Sequence, residues 1–264
     1  MQATKTDGTL WAWGWNNYGA LGQNNTVNYS SPIQIPGTQW TLDDVYHSSQ
    51  TLAARKTDGT LWVCGRNYAG ALGQGSSASS LPAVSSPRQI PGTQWNSVSL
   101  TNSLGFATKT DGSLWSWGYN ARGSLGHNNV TYRSSPTAVP GSSWQKAMSM
   151  WGSSPLFLKT DGTLWSWGNQ QVGNYGQLGL NDNSINRSSP TQIPGTDWNH
   201  LIGSNQYRFA TKTDGTLWVW GYNSGNLGLN DTADRSSPTQ IPGTWSISHD
   251  TGSFVFAASK TVYT

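Results

Sequence analysis

The sequence predicts an all-β fold, a β-propeller of five four-stranded blades whose ring is closed by overlap of the N- and C-terminal strands. Three observations carry the prediction. The phrase Lys-Thr-Asp-Gly, then Thr or Ser, then Leu-Trp occurs five times, beginning at Lys5, Lys56, Lys109, Lys159 and Lys212, at intervals of 51, 53, 50 and 53 residues from one lysine to the next. A period near 50 residues marks a propeller or solenoid, and four short strand-like segments per period are the content of one propeller blade. After the fifth unit the chain adds Ser253-Phe254-Val255-Phe256-Ala257-Ala258-Ser259-Lys260, a sixth copy of the segment before the turn phrase. Such an overlap is expected to set the last strand beside the first hairpin and to leave the termini adjacent.

Each unit reads in the same order. Strand a ends at the lysine: Gln2-Ala3-Thr4 matches Phe106-Ala107-Thr108 and Phe209-Ala210-Thr211. Asp-Gly then supplies the positive φ that a twisted antiparallel hairpin needs. Strand b follows as Leu10-Trp11-Ala12-Trp13-Gly14 and its four counterparts, rich in the aromatics that suit a pleated surface. A glycine-rich loop, Asn17-Tyr18-Gly19-Ala20-Leu21-Gly22 in the first unit, leads to Ser30-Ser31-Pro32 and a short strand c, Ile33-Gln34-Ile35, closed by Pro36-Gly37. Prolines on both sides assign strand c to a sheet edge, where a missing donor does no harm. Strand d runs from Trp40 to about Tyr46. Insertions fall in the loop after strand b, as with Val172-Gly173-Asn174 in the fourth unit, which is where a fixed scaffold tolerates them. The expectation is one domain over 1–264, with repeats at about 5–55, 56–108, 109–158, 159–211 and 212–264.

Composition excludes several classes of protein. Charged residues are 10% of the chain and glutamate is absent, while Gly (31) and Trp (16) are abundant, so helix is not expected. The 15 cations are spread over the repeats, which argues against specific nucleic-acid binding, since that needs a concentrated basic stripe or tail. No apolar run approaches the roughly 20 residues of a membrane-spanning helix. No basic-then-apolar leader opens the chain, so synthesis in the cytoplasm is expected. The single cysteine, Cys64, stands where the other units place the second Trp of Leu-Trp-x-Trp-Gly and reads as a packing substitute.

The run of strand a, Asp-Gly, Leu-Trp-x-Trp-Gly, Asn, Gly-x-Leu-Gly and Ser-Pro resembles the repeats of the regulator of chromosome condensation family, and the match spans nearly the whole chain. The phrasing Ser-Pro-x-Gln-Ile-Pro-Gly-Thr-x-Trp, at Ser31 to Trp40 and Ser189 to Trp198, looks more like the bacterial and marine-phage versions. The resemblance implies a propeller, seven-bladed in familiar eukaryotic members against five units here. It also implies a scaffold that meets protein partners, a small GTPase or chromatin among them. No basic tail precedes Lys5, and no large insertion offers an exchange wedge.

Repeated residues are accounted for by turns and packing. Asp7, Asp58, Asp111, Asp161 and Asp214 belong to turns. Trp11, Trp62, Trp115, Trp165 and Trp218, with Trp40, Trp95, Trp144, Trp198 and Trp245, are expected to form the interblade core. His47, His127, His200 and His249 occupy unrelated offsets, and no tetrahedral metal spacing exists. Asn181-Asp182-Asn183 and Asn230-Asp231 lack the glycine and twelfth-position acid of a calcium loop. No catalytic residue, cofactor or metal is therefore expected, and the protein is read as a non-enzyme.

Function is expected where the repeats differ. The end of strand b and the start of strand a lie on one face of the hairpin, which places Trp15, Arg66, Tyr119, Asn169 and Tyr222 on the same rim as His47, Trp151, Tyr207, Arg208 and His249. Aromatics with arginine are the composition of interface hot spots. The partner-binding candidates are Trp15, Arg66, Tyr119, Tyr222, His47, Trp151, Tyr207 and Arg208. The reading is a phage virion structural or appendage protein that uses this rim to bind another virion protein or a host-surface glycan. A carbohydrate-binding propeller and a small-GTPase regulator are the alternatives, and the sequence leaves the oligomeric state open.

Overall fold

The computed structural model describes residues 1–47, 50–76, 80–145, 154–169, 175–182, 185–203, 206–247 and 258–260. It forms two compact units, Met1–Ala121 with Val130–Ser149, and Arg122–Asn129 with Met150–Thr264. Apart from one 3-10 turn at Tyr68–Gly70, the regular structure among the described residues is all antiparallel β.

In chain order, the first sheet holds β1 (Gln2–Thr4), β2 (Leu10–Gly14) and β3 (Tyr29–Gln34). The second holds β4 (Trp40–His47), β5 (Thr51–Lys56), β6 (Leu61–Arg66) and β7 (Ala83–Gln89), and the third β8 (Trp95–Leu100), β9 (Leu104–Lys109), β10 (Leu114–Gly118) and β11 (Arg133–Ala138). In the second unit lie β12 (Leu156–Leu158), β13 (Leu164–Gly168) and β14 (Arg187–Gln192), then β15 (Trp198–Gly203), β16 (Tyr207–Lys212), β17 (Leu217–Gly221) and β18 (Arg235–Ile241). The last sheet pairs β19 (Trp245–Ile247) with β20 (Ala258–Lys260).

The sheets correct the expected grouping of strands. Strand d joins strand a of the next repeat, with Trp40 opposite Lys56, Trp95 opposite Lys109 and Trp198 opposite Lys212, so a four-stranded sheet reads d-a-b-c across a repeat boundary. The sixth copy of strand a, β20, takes strand d before it, with Trp245 opposite Lys260 in the same register. Pairing with the strand nearest in the chain costs little loop-closure entropy. Strand c lies at a sheet edge, as its prolines require, but it begins earlier than expected, since β3 already includes Tyr29 to Pro32.

The turn phrase is now accounted for residue by residue. Gly8 N–H donates to Lys5 O at 2.9 Å and Gly8 alone takes positive φ (78°), giving a turn in which Asp7 stays in ordinary backbone. Asp7 Oδ1 accepts from Thr9 N–H at 2.9 Å and from the Thr9 hydroxyl at 2.6 Å, and Thr9 Oγ1 accepts the Trp11 indole N–H at 2.9 Å. The same relay recurs at Asp58-Thr60-Trp62, Asp111-Ser113-Trp115, Asp161-Thr163-Trp165 and Asp214-Thr216-Trp218. A hydroxyl is needed between carboxylate and indole, which is why Thr or Ser fills that position.

The core differs from expectation in one respect. Trp40, Trp95, Trp144 and Trp198 are buried, but the first Trp of strand b is half-exposed, and the enclosed one is the second, Trp117, Trp167 and Trp220. Each of these donates its indole N–H to the glycine loop of the preceding repeat: Trp117 to Ala71 O at 2.7 Å, Trp167 to Ser124 O at 2.9 Å and Trp220 to Gln177 O at 3.2 Å. Cys64 fills the same slot, its Sγ 3.5 Å from Ala20 O. Around these contacts Leu61, Val63, Leu72 and Ile90 pack against Trp95, Val98 and Trp117, and Leu10, Leu21 and Ile35 against Trp40, Leu52 and Cys64.

Candidate functional site

Residues after strand b and before strand a do meet. Arg66 N–H donates to Gln50 O, Tyr119 N–H to Ser103 O and Tyr222 N–H to Gln206 O, each at 2.8 Å. The loop that follows strand b is held by a buried asparagine. Asn16 Oδ1 accepts Leu21 N–H at 2.8 Å while its amide donates to Asn25 O and Val27 O, and Asn67 repeats the pattern with Leu72 and Leu81. The loop also presses on strand c of the next repeat: a Cβ on Gly19 would stand 2.4 Å from Ser85 Cα in β7, so only glycine fits.

On this frame the first compact unit carries a continuous row of side chains. Trp15, 46% exposed, meets Tyr18 edge to face at 5.9 Å between centroids. The Arg66 guanidinium lies between Tyr18 and Tyr68, 5.0 and 5.4 Å from their centroids, and its Nη1 donates to Gln50 Oε1 at 2.9 Å. Tyr68 stacks on Tyr119 at 6.4 Å, and Tyr119 meets Tyr132 at 4.9 Å. Burial, with Tyr119 and Tyr68 beside it, raises the Tyr132 phenol above its ordinary pKa. Three successive repeats contribute to the row, with exposed Trp15, Tyr68 and Tyr132 along it. It offers a partner aromatic edges, phenol hydroxyls and one fixed cation, the chemistry of interface hot spots.

Sequence reasoning named Trp15, Arg66 and Tyr119 of this row and missed Tyr18, Tyr68 and Tyr132. The available signal was an aromatic one or two residues past the loop asparagine, at Tyr18 and Tyr68. Tyr132 carried none, because it lies in the variable stretch before strand c. In the second compact unit Tyr222 meets Tyr175 at 4.5 Å. Tyr207 is half-buried against Phe209.

Arg208 corrects the expectation of a rim contact. It is 1% exposed, its Nη2 donates to Ser154 O and its Nη1 to Tyr207 O, and burial lowers its pKa to about 10. Strand alternation turns it inward, opposite Trp220. His47 ends β4, and Trp151 and His249 lie outside the described residues.

Elsewhere the titratable groups are committed to structure. Asp182 pairs with Arg187 and Asp231 with Arg235. Burial pushes the Cys64 thiol up to about 12, far from a reactive thiolate. Among the described residues no three His, Cys, Asp or Glu side chains are grouped to hold a metal ion.

The repeat is the deciding comparison: the family model for the regulator of chromosome condensation (RCC1) repeat matches residues 7–44, 111–150 and 161–203. The chain carries repeats of the RCC1 kind over these stretches. Over 240 residues it is 27% identical to the ultraviolet-B receptor UVR8 of Arabidopsis thaliana, covering 85% of this chain and 52% of the receptor. Over 128 residues it is 34% identical to the protein RCC2 homolog of Danio rerio, covering 47% of this chain and 25% of the relative. The chain thus spans about half, or less, of the length of these RCC1-repeat relatives. Among solved structures it resembles Prp20p of Saccharomyces cerevisiae, with a TM-score of 0.74 and 19% identity over 92% of this chain and 61% of that one. That study concerns binding of Prp20p to Gsp1p and histones, and the same yeast RCC1 has been solved bound to Kap60. The likeness establishes an all-β fold of the RCC1 propeller kind.

Proposed function

We propose that this RCC1-repeat chain is a non-catalytic protein-interaction scaffold whose contact surface is the row from Trp15 through Arg66 to Tyr132. The observation that carries the reading is that row itself. Six nonrepeated side chains from three repeats stand in contact at one rim, while most of the repeated residues are consumed by turns, loops and core. The structurally similar Prp20p of yeast, studied for its binding to Gsp1p and histones and solved bound to Kap60, supports protein partners as the ligand class.

The finer reading is one domain over 1–264 with five blades in a closed ring, serving as a virion structural or appendage protein. The Ser-Ser-Pro phrasing motivates the virion setting, and mass spectrometry of purified particles is its test. The interaction surface is tested by affinity capture with wild-type protein and with Trp15→Ala and Tyr68→Ala. Substitution at exposed positions leaves the fold within about 0.5 kcal/mol of wild type. Loss of a hot spot worth about 2 kcal/mol weakens a true partner roughly 30-fold. A captured protein retained equally by both variants would remove the row from the function. Catalysed nucleotide release from a small GTPase would favour the regulator reading. Stacking of sugars on Trp15, Tyr119 or Tyr222 would appear as millimolar glycan binding.

A further inference from the structure

The row at the rim leaves one repeated residue without a task. Five of the seven lysines of the chain, Lys5, Lys56, Lys109, Lys159 and Lys212, stand at the head of the turn phrase, a position where hairpin geometry asks for no cation. At Lys56 the reason is visible. Its Nζ lies 4.9 Å from the ring centroids of both Trp40 and Trp62, which meet edge to face, and the three side chains border a cavity of about 350 Å³. The remaining walls are Gly22, Gln23, Asn24, the Pro36-Gly37 turn, Ser86 and Pro87.

Two polar wall groups are already engaged within the protein. Gln23 Nε2 donates to Leu21 O and Gln34 O, and Ser86 Oγ donates to Asn24 Oδ1. The acid of the same turn, Asp58, is held by Thr60. Among the described residues no carboxylate pairs with Lys56, and Trp40 Nε1, on a ring 2% exposed, has no acceptor. The cavity is therefore bordered by a cation held against two indole rings, with no anion among its walls.

Two other copies show the same arrangement. Lys109 stands 4.8 and 4.6 Å from Trp95 and Trp115, and Lys212 4.8 and 5.1 Å from Trp198 and Trp218. A Cβ on the turn glycine Gly92 would lie 3.6 Å from Lys109 Nζ and 3.9 Å from Trp95 Nε1; on Gly195 it would lie 3.2 Å from Lys212 Nζ and 3.7 Å from Trp198 Nε1. Ammonium and indole N–H thus converge beside the turn glycine in these two copies.

We propose that the cavity at Lys56 is a binding site for the side-chain carboxylate of an extended acidic peptide. The ammonium receives the carboxylate, while Trp62, Pro36 and Pro87 cover its methylene stem. The volume, near the lower end of ligand pockets, suits a single side chain. With Gln23 Nε2 and Ser86 Oγ already donating within the protein, little is left to meet the hydroxyls of a sugar, which favours a peptide. The site is separate from the aromatic row and stands or falls apart from it.

The test is a titration of the whole chain with a blocked tetraglutamate peptide and with blocked tetraglutamine, read from the indole N–H resonances of Trp40 and Trp62. Tetraglutamate is expected to shift both resonances saturably and less so as salt is raised, and tetraglutamine to leave them in place. Lys56→Met, which keeps the stem, is expected to weaken binding there at least about tenfold. Lys56→Arg should retain binding. Equal shifts with both peptides, no saturable shift, or unchanged shifts in Lys56→Met would overturn the proposal. Should Lys56→Met fail to fold, the glutamate-against-glutamine contrast on wild-type protein decides alone. Shifts with sodium glucuronate but not with tetraglutamate would overturn the peptide assignment.

Discussion

Replacing Cys64 by Trp should damage the fold, although four of the five repeats carry Trp at that position, and removing Leu52 at the same time should repair it. The reason lies across the β5–β6 and β9–β10 pairs. In the third repeat Trp117 stands opposite Gly105, and in the second Cys64 stands opposite Leu52. A Cβ on Gly105 would sit 2.2 Å from Trp117 Cε2 and 2.3 Å from its Nε1, so the indole occupies the volume any side chain there would need. Leu52 and Cys64 are both 0% exposed, and Leu52 fills that volume in the second repeat. Cys64→Trp alone then overpacks the site and costs about 3 kcal/mol, the upper part of the usual range for enlarged core residues. Leu52→Gly alone leaves a cavity worth roughly 2–5 kcal/mol, with about 0.5–1 kcal/mol more for glycine in a strand. In the double variant the indole enters the cavity and its N–H reaches Ala20 O, now approached by Cys64 Sγ at 3.5 Å. The coupling energy should be favourable by about 2–3 kcal/mol. Urea unfolding of the four proteins, followed by far-ultraviolet circular dichroism, measures it. Additivity within about 0.5 kcal/mol would refute the account of why this repeat departs from the others.

Further outcomes follow from single contacts. Trp117→Phe keeps most of the buried ring but leaves Ala71 O without its donor, so a loss of about 1–3 kcal/mol in urea unfolding is expected. Gly65→Ala should abolish stable folding of the second sheet, seen as lost amide protection in β5 and β6, because the added Cβ meets Gln50 O at 2.2 Å and φ is +109°. Hydrogen bonds from Thr or Ser hold the five turn aspartates below their ordinary pKa. A depressed folded-state pKa means that this stabilisation is present above the unfolded-state value and lost as pH falls through the folded one. Stability should therefore decline below the ordinary aspartate range, and Asp111→Asn should reduce that decline. Cys64, with its thiol pushed up to about 12, should resist alkylation at pH 8 in the native protein and react fully in denaturant.

Much of the architecture was legible because a repeat makes each inference five times over. Asp-Gly turns, an edge strand bracketed by prolines and a core of tryptophans in register all follow from local rules: backbone torsion, a missing donor, and alternation along a strand. What misled was the frame of the repeat. Nothing in the order a, b, c, d says that d pairs forward across the boundary, since both choices bury the same residues. The two tryptophans of Leu-Trp-x-Trp also look alike in sequence. Only the neighbouring loop, with its carbonyl at Ala71, Ser124 or Gln177, makes the second the enclosed one.

The candidate site divides in the same way. Trp15, Arg66 and Tyr119 were found because they break the repeat at one offset, whereas Tyr132 joins them only through a contact across its own loop. Arg208 shares their offset logic from the other side of the hairpin, yet strand alternation sends it inward. By itself the sequence determined the hairpins, their spacing and the kind of repeat, because these depend on residues close together in the chain. Which side chains became rim, core or cavity wall was decided by the packing of one repeat's loop on the next, which brings together residues 43 to 62 positions apart.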